Sequence, residues 1–304
     1  MKYRVQLVDA QSPLAAKIAD SYGFWHNPLF MSSVAKLHKV DAYQVQVYKG
    51  EELIAILPVY ERRKFGLKAL ITPTASYYQG ISFDFEDNIN PARKVLDTVA
   101  VTSDIAKFLS TRYRRINLKL SPENYDVRGF SWRGYSAKPL YTFWQYLGKD
   151  LCLMADERKK LRMARNEGMY LEEKFDVESF IRLERDLETR KSFNKGVSYP
   201  ALADFYVELH KQGLLRQFNV YYKNEIVSAN IILSDGGKLA YTIILATQKD
   251  AMKKGAATLH SVEISQHLPL KTKILDFCGA NIREVARFKA ALGLELRVYY
   301  HIKL

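Results

Sequence analysis

The sequence contains few cysteines and no long apolar run. Its two cysteines, Cys152 and Cys278, are far apart, so a disulfide scaffold is not expected and a reducing compartment is favoured. No wholly apolar stretch approaches the roughly 20 residues of a transmembrane helix. The first residues contain no apolar core of a secretory signal. These absences predict a cytoplasmic protein without a transmembrane segment.

Motifs of several enzyme classes are absent as well. The six histidines are scattered, and His260 lacks a second ligand at the spacing of a zinc-binding helix. We therefore expect His260 on a helix surface, and we expect no bound metal. The Gly-x-Ser-x-Gly motif of serine hydrolases does not occur. Neither cysteine has neighbours that support a nucleophile, and Cys278 is expected to be a core or loop thiol.

Positive charge is what the chain has in excess. It holds 46 Lys and Arg residues against 33 Asp and Glu, a formal net charge of +13. Such a charge favours an anionic partner: a phosphate-rich cofactor, a nucleic acid or an anionic lipid surface. A basic but otherwise inert globular protein is the alternative. The length of 304 residues suggests two domains, and 48% hydrophobic residues are enough for full cores.

Hydrophobic periodicity and turn residues predict helices and strands in both halves of the chain. In the first half the predicted strands are 3–8, 43–48, 53–60, 67–71, 116–120 and 141–147, and the predicted helices are 13–22, 29–38 and 90–110. In the second half the predicted strands are 169–175, 215–222, 225–233, 238–246, 274–278 and 294–300. The helices there are 156–167, 177–193, 200–211, 256–267 and a last one that Asn281 caps and Gly293 ends. Residues 148–150 separate the halves.

Three arginines form a stripe on the predicted helix over about 156–167. Arg158, Arg162 and Arg165 are spaced to share one face. Aligned arginines repel one another unless an anion or carboxylates lie between them, which indicates phosphate docking. The alternative is a solvated face that acids of the same helix partly neutralise, and the sequence leaves both open.

A polar turn follows the predicted strand 274–278. Asp276, Asn281, Arg283 and Glu284 lie close together there, which is more charge than a simple connection needs. This concentration indicates a functional turn. The alternative is that Asp276 caps the turn while Arg283 and Glu284 are solvated.

The order of the predicted elements and several short stretches together resemble a known family. The stretches are 141–150 leading into Arg158-x-x-Leu161-Arg162-x-Ala164, 246–259 with Gly255-Ala256, Asp276-Phe277-x-Gly279, Arg287-Phe288-Lys289-x3-Gly293, and the hairpin 47–60. They resemble the GNAT superfamily of N-acyltransferases, and in detail its tandem-domain branch with the FemABX-type aminoacyl transferases. The resemblance implies an α+β fold with mixed sheets and two tandem GNAT-like domains. These are 1–148, the degenerate first domain, and 149–304, with an interdomain helix at about 156–167.

The loop before the predicted helix 256–267 is the expected cofactor site. The resemblance implies that Lys253, Lys254, Gly255, Ala256 and Ala257 bind acyl-CoA, although Met252 replaces the usual Gln or Arg. A helix N-terminus presents free N–H groups, and small residues let a pyrophosphate approach the backbone. The alternative is that these small residues only start a helix packed tightly on the sheet.

Direct acyl transfer needs an amine that loses a proton, an oxyanion donor and an acid for the leaving group. Asp276 is the candidate to orient or deprotonate the amine. The resemblance implies that Lys289 stabilises the oxyanion or pairs with a phosphate. Tyr241, or Tyr299 or Tyr300, is a candidate acid, with core packing as the alternative for each tyrosine. Backbone N–H groups of the strand 238–246 are expected to face the oxyanion.

The sequence thus predicts an acyltransferase that moves an acyl group from an anionic carrier, acyl-CoA (acetyl-CoA), to an amine without a metal. The first alternative is FemABX-like transfer from aminoacyl-tRNA to an amine of a peptidoglycan precursor. The chain lacks the long helical hairpin of some tRNA-dependent members, which counts against it. The second alternative is a non-catalytic GNAT-fold module that binds an anionic ligand, RNA or a peripheral membrane surface. The oligomeric state has no signature in the sequence.

Overall fold

The computed structural model describes residues 3–12, 23–86, 88–191 and 195–304. The predicted helix 13–22 lies outside the described residues. The chain divides into two compact units, Met1–Leu140 with Val298–Leu304, and Tyr141–Arg297. Along the chain, the second unit therefore lies between two parts of the first.

The strands alternate buried and exposed residues or are buried throughout, as the sequence periods predict. In chain order they are β1 (Arg4–Asp9), β2 (Asp41–Lys49), β3 (Glu52–Lys64), β4 (Leu67–Ile71), β5 (Ser82–Phe83), β6 (Arg115–Lys119), β7 (Ser136–Tyr146), β8 (Tyr170–Glu173), β9 (Leu215–Tyr222), β10 (Glu225–Leu233), β11 (Leu239–Thr247), β12 (Ile274–Asp276) and β13 (Glu295–Lys303).

Several helices begin with a polar N-cap residue followed by proline, as at Asn27-Pro28 and Asn90-Pro91. In chain order they are α1 (Pro28–His38), α2 (Pro91–Ser110), α3 (Arg128–Ser131), α4 (Ala155–Asn166), α5 (Val177–Lys191), α6 (Tyr199–Lys211), α7 (Lys249–Lys253), α8 (Ala256–Glu263) and α9 (Arg283–Ala291). Among the described residues, no helix is both long and apolar enough to cross a bilayer.

The first unit contains a mixed sheet in the order β1-β2-β3-β4-β6-β13, with β5 beside β3. The β4–β6 pair is parallel, and the other neighbours are antiparallel. Helix α2 covers one face with Val101, Ile105 and Leu109, which pack in one core with strand residues such as Val45 and Leu57. The burial of this apolar stripe is what holds α2 on the sheet.

The second unit contains a sheet in the order β7-β12-β11-β10-β9-β8, in which β11 and β12 are parallel. One core lies around Leu275 and Leu292, and another joins α4 to α8 through residues such as Leu161 and Leu259. The predicted α+β fold class with mixed sheets is confirmed. Both sheets pair parallel and antiparallel strands.

Two local predictions for the second unit are wrong. The predicted helix 256–267 ends at Glu263 and continues as a 3-10 turn, with the short helix α7 before it. Asn281 does not cap α9, because Ile282 holds the N-cap position. The Asn281 side chain instead accepts from Tyr141 N at 3.0 Å and donates to Tyr141 O at 3.2 Å. A long-range pair of bonds has replaced the local cap.

Candidate active site

Strands β11 and β12 part in the middle of the second sheet. Their parallel pairing covers only Leu239–Tyr241 on β11 and ends at Asp276 on β12. Strand β11 continues to Thr247, so within the described residues its later part has no strand on that side. On the other side Ile231 pairs with Ile244 and Ile232 with Thr242, which leaves Ile243 as a bulge. A bulge frees backbone polar groups from the ladder. Where β11 and β12 part, backbone N–H and C=O groups outside the strand ladder are therefore available to a ligand.

Asp276 ends β12 at this opening and is fully buried. Its carboxylate accepts three hydrogen bonds, from Thr142 Oγ1 at 2.5 Å, from Trp144 Nε1 at 2.9 Å and from Cys278 N at 2.8 Å. Tyr241 is its register partner on β11 and is also buried. The bond from Cys278 is the turn cap that the alternative reading expected. The two side-chain donors on β7, Thr142 and Trp144, are not needed for a turn cap.

Lys289 points from α9 into the turn after β12. Its Nζ donates to the carbonyl oxygens of Phe277, Cys278 and Gly279, the Cys278 bond being 2.6 Å long. An ammonium group has three donors, so all are used. Burial lowers the pKa of Lys289 to about 8, although the charges of Cys278 and Asp276 act in the opposite direction. In this conformation Lys289 fixes the turn and has no donor left for an oxyanion.

Cys278 completes the turn in a conformation that is rare for a non-glycine residue. Its φ is +28°, and its thiol is buried. Burial raises the pKa of the Cys278 thiol, and the nearby Asp276 charge raises it further. A thiol held protonated is a poor nucleophile, which fits the predicted core or loop role.

Trp144 and Arg297 belong to this site, and sequence analysis did not select them. The Arg297 guanidinium carbon lies 5.0 Å from the Trp144 ring centroid and 5.8 Å from that of Tyr146. Arg297 pairs with the exposed Glu295 at 2.6 Å, while its Nε is buried without a hydrogen-bond partner among the described residues. Alternation in β7 and β13 assigns each of these residues to one face of its strand. It does not show that the two strands are neighbours in the sheet.

The two lysines of the predicted cofactor loop are engaged with acids of the chain. Lys253 pairs with Asp250 at 3.2 Å, and both are exposed. Lys254 donates to Glu167 at 3.0 Å and to Tyr222 Oη at 2.9 Å. A phosphate bound at this loop has to compete with these acids.

Gly255 and Ala256 are packed against α4. Gly255 has a φ of +90°, and a methyl group in place of its hydrogen would overlap the Lys160 backbone carbonyl. Ala256 is fully buried, and Ala257 is half-buried. These contacts are those of a tightly packed helix start, which was the alternative to a phosphate-binding loop. Phosphate binding by this loop stays a prediction.

A carboxylate of the chain itself lies beside the first turn of α8. Glu157 of α4 is buried and accepts from Thr258 Oγ1 at 2.5 Å, in the first turn of α8. Lys160 binds the same carboxylate at 2.7 Å. A helix N-terminus favours negative charge, and Glu157 supplies it without a ligand. From the sequence, Glu157 was expected only to be one of the acids on this helix that partly neutralise the arginine stripe.

The arginine stripe is exposed along α4. Arg165 binds Glu263 with its Nε and Nη2, at 3.1 and 3.0 Å. Arg158 and Arg162 are exposed, and the described residues hold no acid within ion-pair distance of them. Two of the three therefore remain available for an anion, and docking there stays a prediction.

The expected surface position of His260 is wrong. His260 is fully buried on α8, with Nδ1 3.0 Å from Ser228 Oγ, and burial lowers its pKa to about 3. Helix α8 has buried residues at five of its eight positions, so helical spacing marks no exposed face. The described residues contain no cluster of three or more His, Cys, Asp or Glu side chains able to hold a metal.

Tyr299 and Tyr300 fall within the first unit, unlike Tyr241. The Tyr299 Oη lies 3.3 Å from the Tyr77 Oη, and its ring contacts Tyr78 edge-on. Packing in an aromatic cluster explains the position of Tyr299. Tyr241 is the tyrosine that the second sheet places beside Asp276.

Comparison with known proteins gives likeness in structure and none in sequence. No protein-family model matches the chain, and no curated protein matches it. The chain is similar in structure to FemX, with a TM-score of 0.67 at 12% identity over 98% of this chain and 96% of FemX. It is also similar to L-PGS from Bacillus licheniformis, with a TM-score of 0.57 at 11% identity over 97% and 92%.

A third similar structure is a conserved protein of unknown function from Bacteroides thetaiotaomicron. Its TM-score is 0.60 at 9% identity, over 99% of this chain and all of that one. At such identities the likeness shows the fold alone. Over nearly its whole length the chain has a fold similar to that of FemX, which agrees with the FemABX-type fold that the sequence predicted.

Proposed function

We propose that this protein transfers an acyl group to an amine at the place where β11 and β12 part. The observation that carries the proposal is the buried Asp276 carboxylate beside the backbone of β11 that lies outside the strand ladder. A buried charge and unpaired backbone groups are costly in a sheet unless hydrogen bonds or a ligand compensate them. Acyl transfer uses both, one for the amine and one for the oxyanion.

The reaction proceeds by direct attack. The amine nitrogen forms a bond to the acyl carbon, the carbonyl oxygen becomes an oxyanion, and the bond to the leaving group then breaks. Backbone N–H near the Ile243 bulge is the proposed oxyanion donor. Asp276 orients the amine or takes its proton, and Tyr241, its register partner, is the proposed acid that returns a proton to the leaving group. Lys289 holds the turn that carries Asp276.

We propose an aminoacyl ester on an RNA carrier as the donor. The predicted acyl-CoA loop is packed against α4, and Glu157 already supplies the negative charge at the N-terminus of α8. A pyrophosphate there would meet that carboxylate. The net charge of +13 and the exposed Arg158 and Arg162 suit a polyanionic carrier. The FemABX-like fold supports the same choice.

Acyl-CoA is the second candidate donor. The small residues Gly255, Ala256 and Ala257 at the start of α8 favour it, since they keep the backbone accessible in acyl-CoA loops. It requires Lys253 and Lys254 to exchange their present acids for a phosphate. The acceptor is proposed only as an amine, which includes a peptidoglycan-precursor amine.

The test is a calorimetric titration with acetyl-CoA, desulfo-CoA and a non-hydrolysable aminoacyl-tRNA analogue, each at two salt concentrations. We expect the tRNA analogue to bind with a steep salt dependence and CoA to bind weakly or not at all. Saturable CoA binding would reverse the order of the donors. If neither binds to the folded protein, acyl transfer at this site is wrong.

The variant Glu157→Gln separates the donors further. It removes the charge at the N-terminus of α8 and keeps the hydrogen bond from Thr258. If Glu157 excludes a phosphate, Glu157→Gln gains CoA affinity by about fivefold or more, because like-charge repulsion at a helix end is worth about 1 kcal/mol. Binding of the tRNA analogue should not change. Asp126→Asn, at an acid of the first unit, is the control for the change in net charge.

A further inference from the structure

The hairpin between β3 and β4 ends in an unusual turn. Lys64 pairs with Leu67, so Phe65 and Gly66 are the two turn residues. Their φ angles are +50° and +74°. Both are positive, as in the type I′ turn, for which asparagine and glycine are the preferred residues. Phenylalanine in the first position is strained, so this turn is not the one that hairpin stability favours.

The same turn exposes its apolar side chains to solvent. Phe65 is 92% exposed and Leu67 is 62% exposed. Neither packs in a core of the first unit. The hairpin thus combines a strained backbone with two large apolar side chains in water. Transfer of Phe65 and Leu67 into an apolar environment outside the protein would be favourable.

Basic side chains surround the apolar tip. The flanking residues are Arg62, Arg63, Lys64 and Lys68, and all four are exposed. We call these four residues the cationic collar. Arg63 binds the buried Glu61 at 2.6 Å, and Lys68 lies 3.7 Å from the same carboxylate. Glu61 also accepts from Tyr113 Oη at 2.8 Å, which fixes the base of the collar.

Two cations of the collar remain available. Lys64 and Arg62 have no ion pair within the described residues, and the Lys64 Nζ lies 5.4 Å from the Phe65 ring centroid. The tip from 62 to 68 contains no acid. An apolar tip with a cationic collar matches the interface of an anionic bilayer, where acyl chains lie beneath phosphate groups.

We propose that the Phe65–Leu67 tip is a membrane anchor that docks on an anionic phospholipid surface. Phe65 and Leu67 enter the headgroup–acyl boundary, and Arg62 and Lys64 contact lipid phosphates. One hairpin and a few charges give reversible binding, so the protein is peripheral. This inference concerns the first unit and does not depend on the acyl-transfer proposal.

The experiment measures partition onto vesicles of phosphatidylcholine with about one third phosphatidylglycerol, by sedimentation at low and moderate salt. The key variant is Phe65→Asn. Asparagine followed by Gly66 is a preferred type I′ pair, so this variant should fold at least as stably as the wild type. We expect its partition coefficient to fall about tenfold, since much of a phenylalanine's transfer free energy is lost. An unchanged coefficient would overturn the anchor.

Controls separate the tip from general exposure and charge. Leu270→Asn changes another side chain that is 94% exposed, next to Lys271, and should bind vesicles as the wild type does. Arg62→Gln and Lys64→Gln should each lower partition about fivefold at low salt, as one juxtamembrane charge does. Equal losses in Leu270→Asn would show non-specific adsorption and contradict the proposal.

A spectroscopic reading tests insertion directly. Phe65→Trp should gain a blue-shifted emission component with anionic vesicles and not with tRNA. Pure phosphatidylcholine vesicles should give a weaker shift. If the tRNA gives the same shift and Phe65→Asn lowers tRNA binding equally, the tip binds nucleic acid and the membrane proposal is wrong.

Discussion

Two segments of the second unit each have a glycine between a strand and a later helix, and they differ in structure. The start of α8 contains Lys254 and Gly255 and follows β11 and α7, whereas the turn after β12 contains Gly279 and receives Lys289 from α9. At the start of α8 the buried Glu157 carboxylate accepts from Thr258, and Gly255 packs on α4. After β12 the Asp276 carboxylate is buried where β11 and β12 part, and it accepts hydrogen bonds from Thr142, Trp144 and Cys278. The start of α8 is therefore a closely packed helix start, and the turn after β12 carries the candidate site.

The strongest way to break this comparison is Asp276→Ala. It leaves the Thr142 hydroxyl, the Trp144 indole and the Cys278 amide without their acceptor, and Lys289 without a nearby negative charge. We expect a loss of about 3–5 kcal/mol in the free energy of unfolding, as for a broken buried charge network. Urea unfolding measures it.

The control is Asp126→Ala, which removes the carboxylate partner of the half-exposed Arg128. It should cost under about 1 kcal/mol. The isosteric Asp276→Asn keeps one acceptor oxygen and should fold, while aminoacyl transfer falls about a hundredfold or more. Full activity in Asp276→Asn would remove Asp276 from the mechanism.

Gly255→Ala tests the packed side of the comparison. The new methyl group meets the Lys160 carbonyl at a residue whose φ is +90°. Strain and overlap together should cost about 2–4 kcal/mol in unfolding free energy. Gly236→Ala is the matched control, because Gly236 has a φ of +79° and open space around its Cβ direction. It should cost only about 1 kcal/mol. Equal losses of unfolding free energy in the two variants would mean that α4 moves to accommodate the methyl group. The loop before α8 would then be open enough for a ligand.

Lys289 gives the turn after β12 a pH dependence. Its pKa is lowered to about 8 by burial, below the ordinary value of 10.5. Between these pH values the folded protein has released the proton and the unfolded chain still binds it, so the stability of the fold rises with pH. Relative to Lys289→Met, the wild type should gain about 1–3 kcal/mol from pH 8 to pH 10.5. A difference that stays flat across this range would show that the ammonium keeps its ordinary pKa.

Glu157→Gln should have a smaller effect on stability than Asp276→Ala and Gly255→Ala. The glutamine keeps an acceptor for Thr258 and loses the charge at the start of α8 and the pair with the partly exposed Lys160. We expect a cost of about 1 kcal/mol, measured by thermal unfolding. A cost near that of Asp276→Ala would mean that the two segments do not differ in the way proposed.

Much of the fold followed from the sequence because its strands are local patterns. The hairpin at Lys223-Asn224 and the strand 225–233 follow from turn residues and alternation, and both are where the sequence placed them. Asp276 was found because it sits in a polar turn, and Lys289 was found through the family resemblance. The bulge at Ile243 and the parting of β11 and β12 had no sequence signal, since both depend on how neighbouring strands end.

The contacts that sequence missed are those between distant segments. Glu157 reaches Thr258 across about a hundred residues, and nothing in the acidic start of α4 distinguished it from its solvated neighbours. His260 looked like a surface residue for the same reason. Asn281 had the residue type of a cap, and a tertiary partner used its side chain instead.

The division of the chain has a consequence for how the protein is made. Residues 298–304 belong to the first unit, where Ile302 is fully buried and pairs with Leu118 on β6. The first unit therefore cannot complete its sheet until all of the second unit has been synthesised. During synthesis, the edge of β6 therefore stays unpaired until β13 is made, and an unpaired strand edge favours aggregation between chains. Truncation before Val298 should therefore damage the unit that is made first.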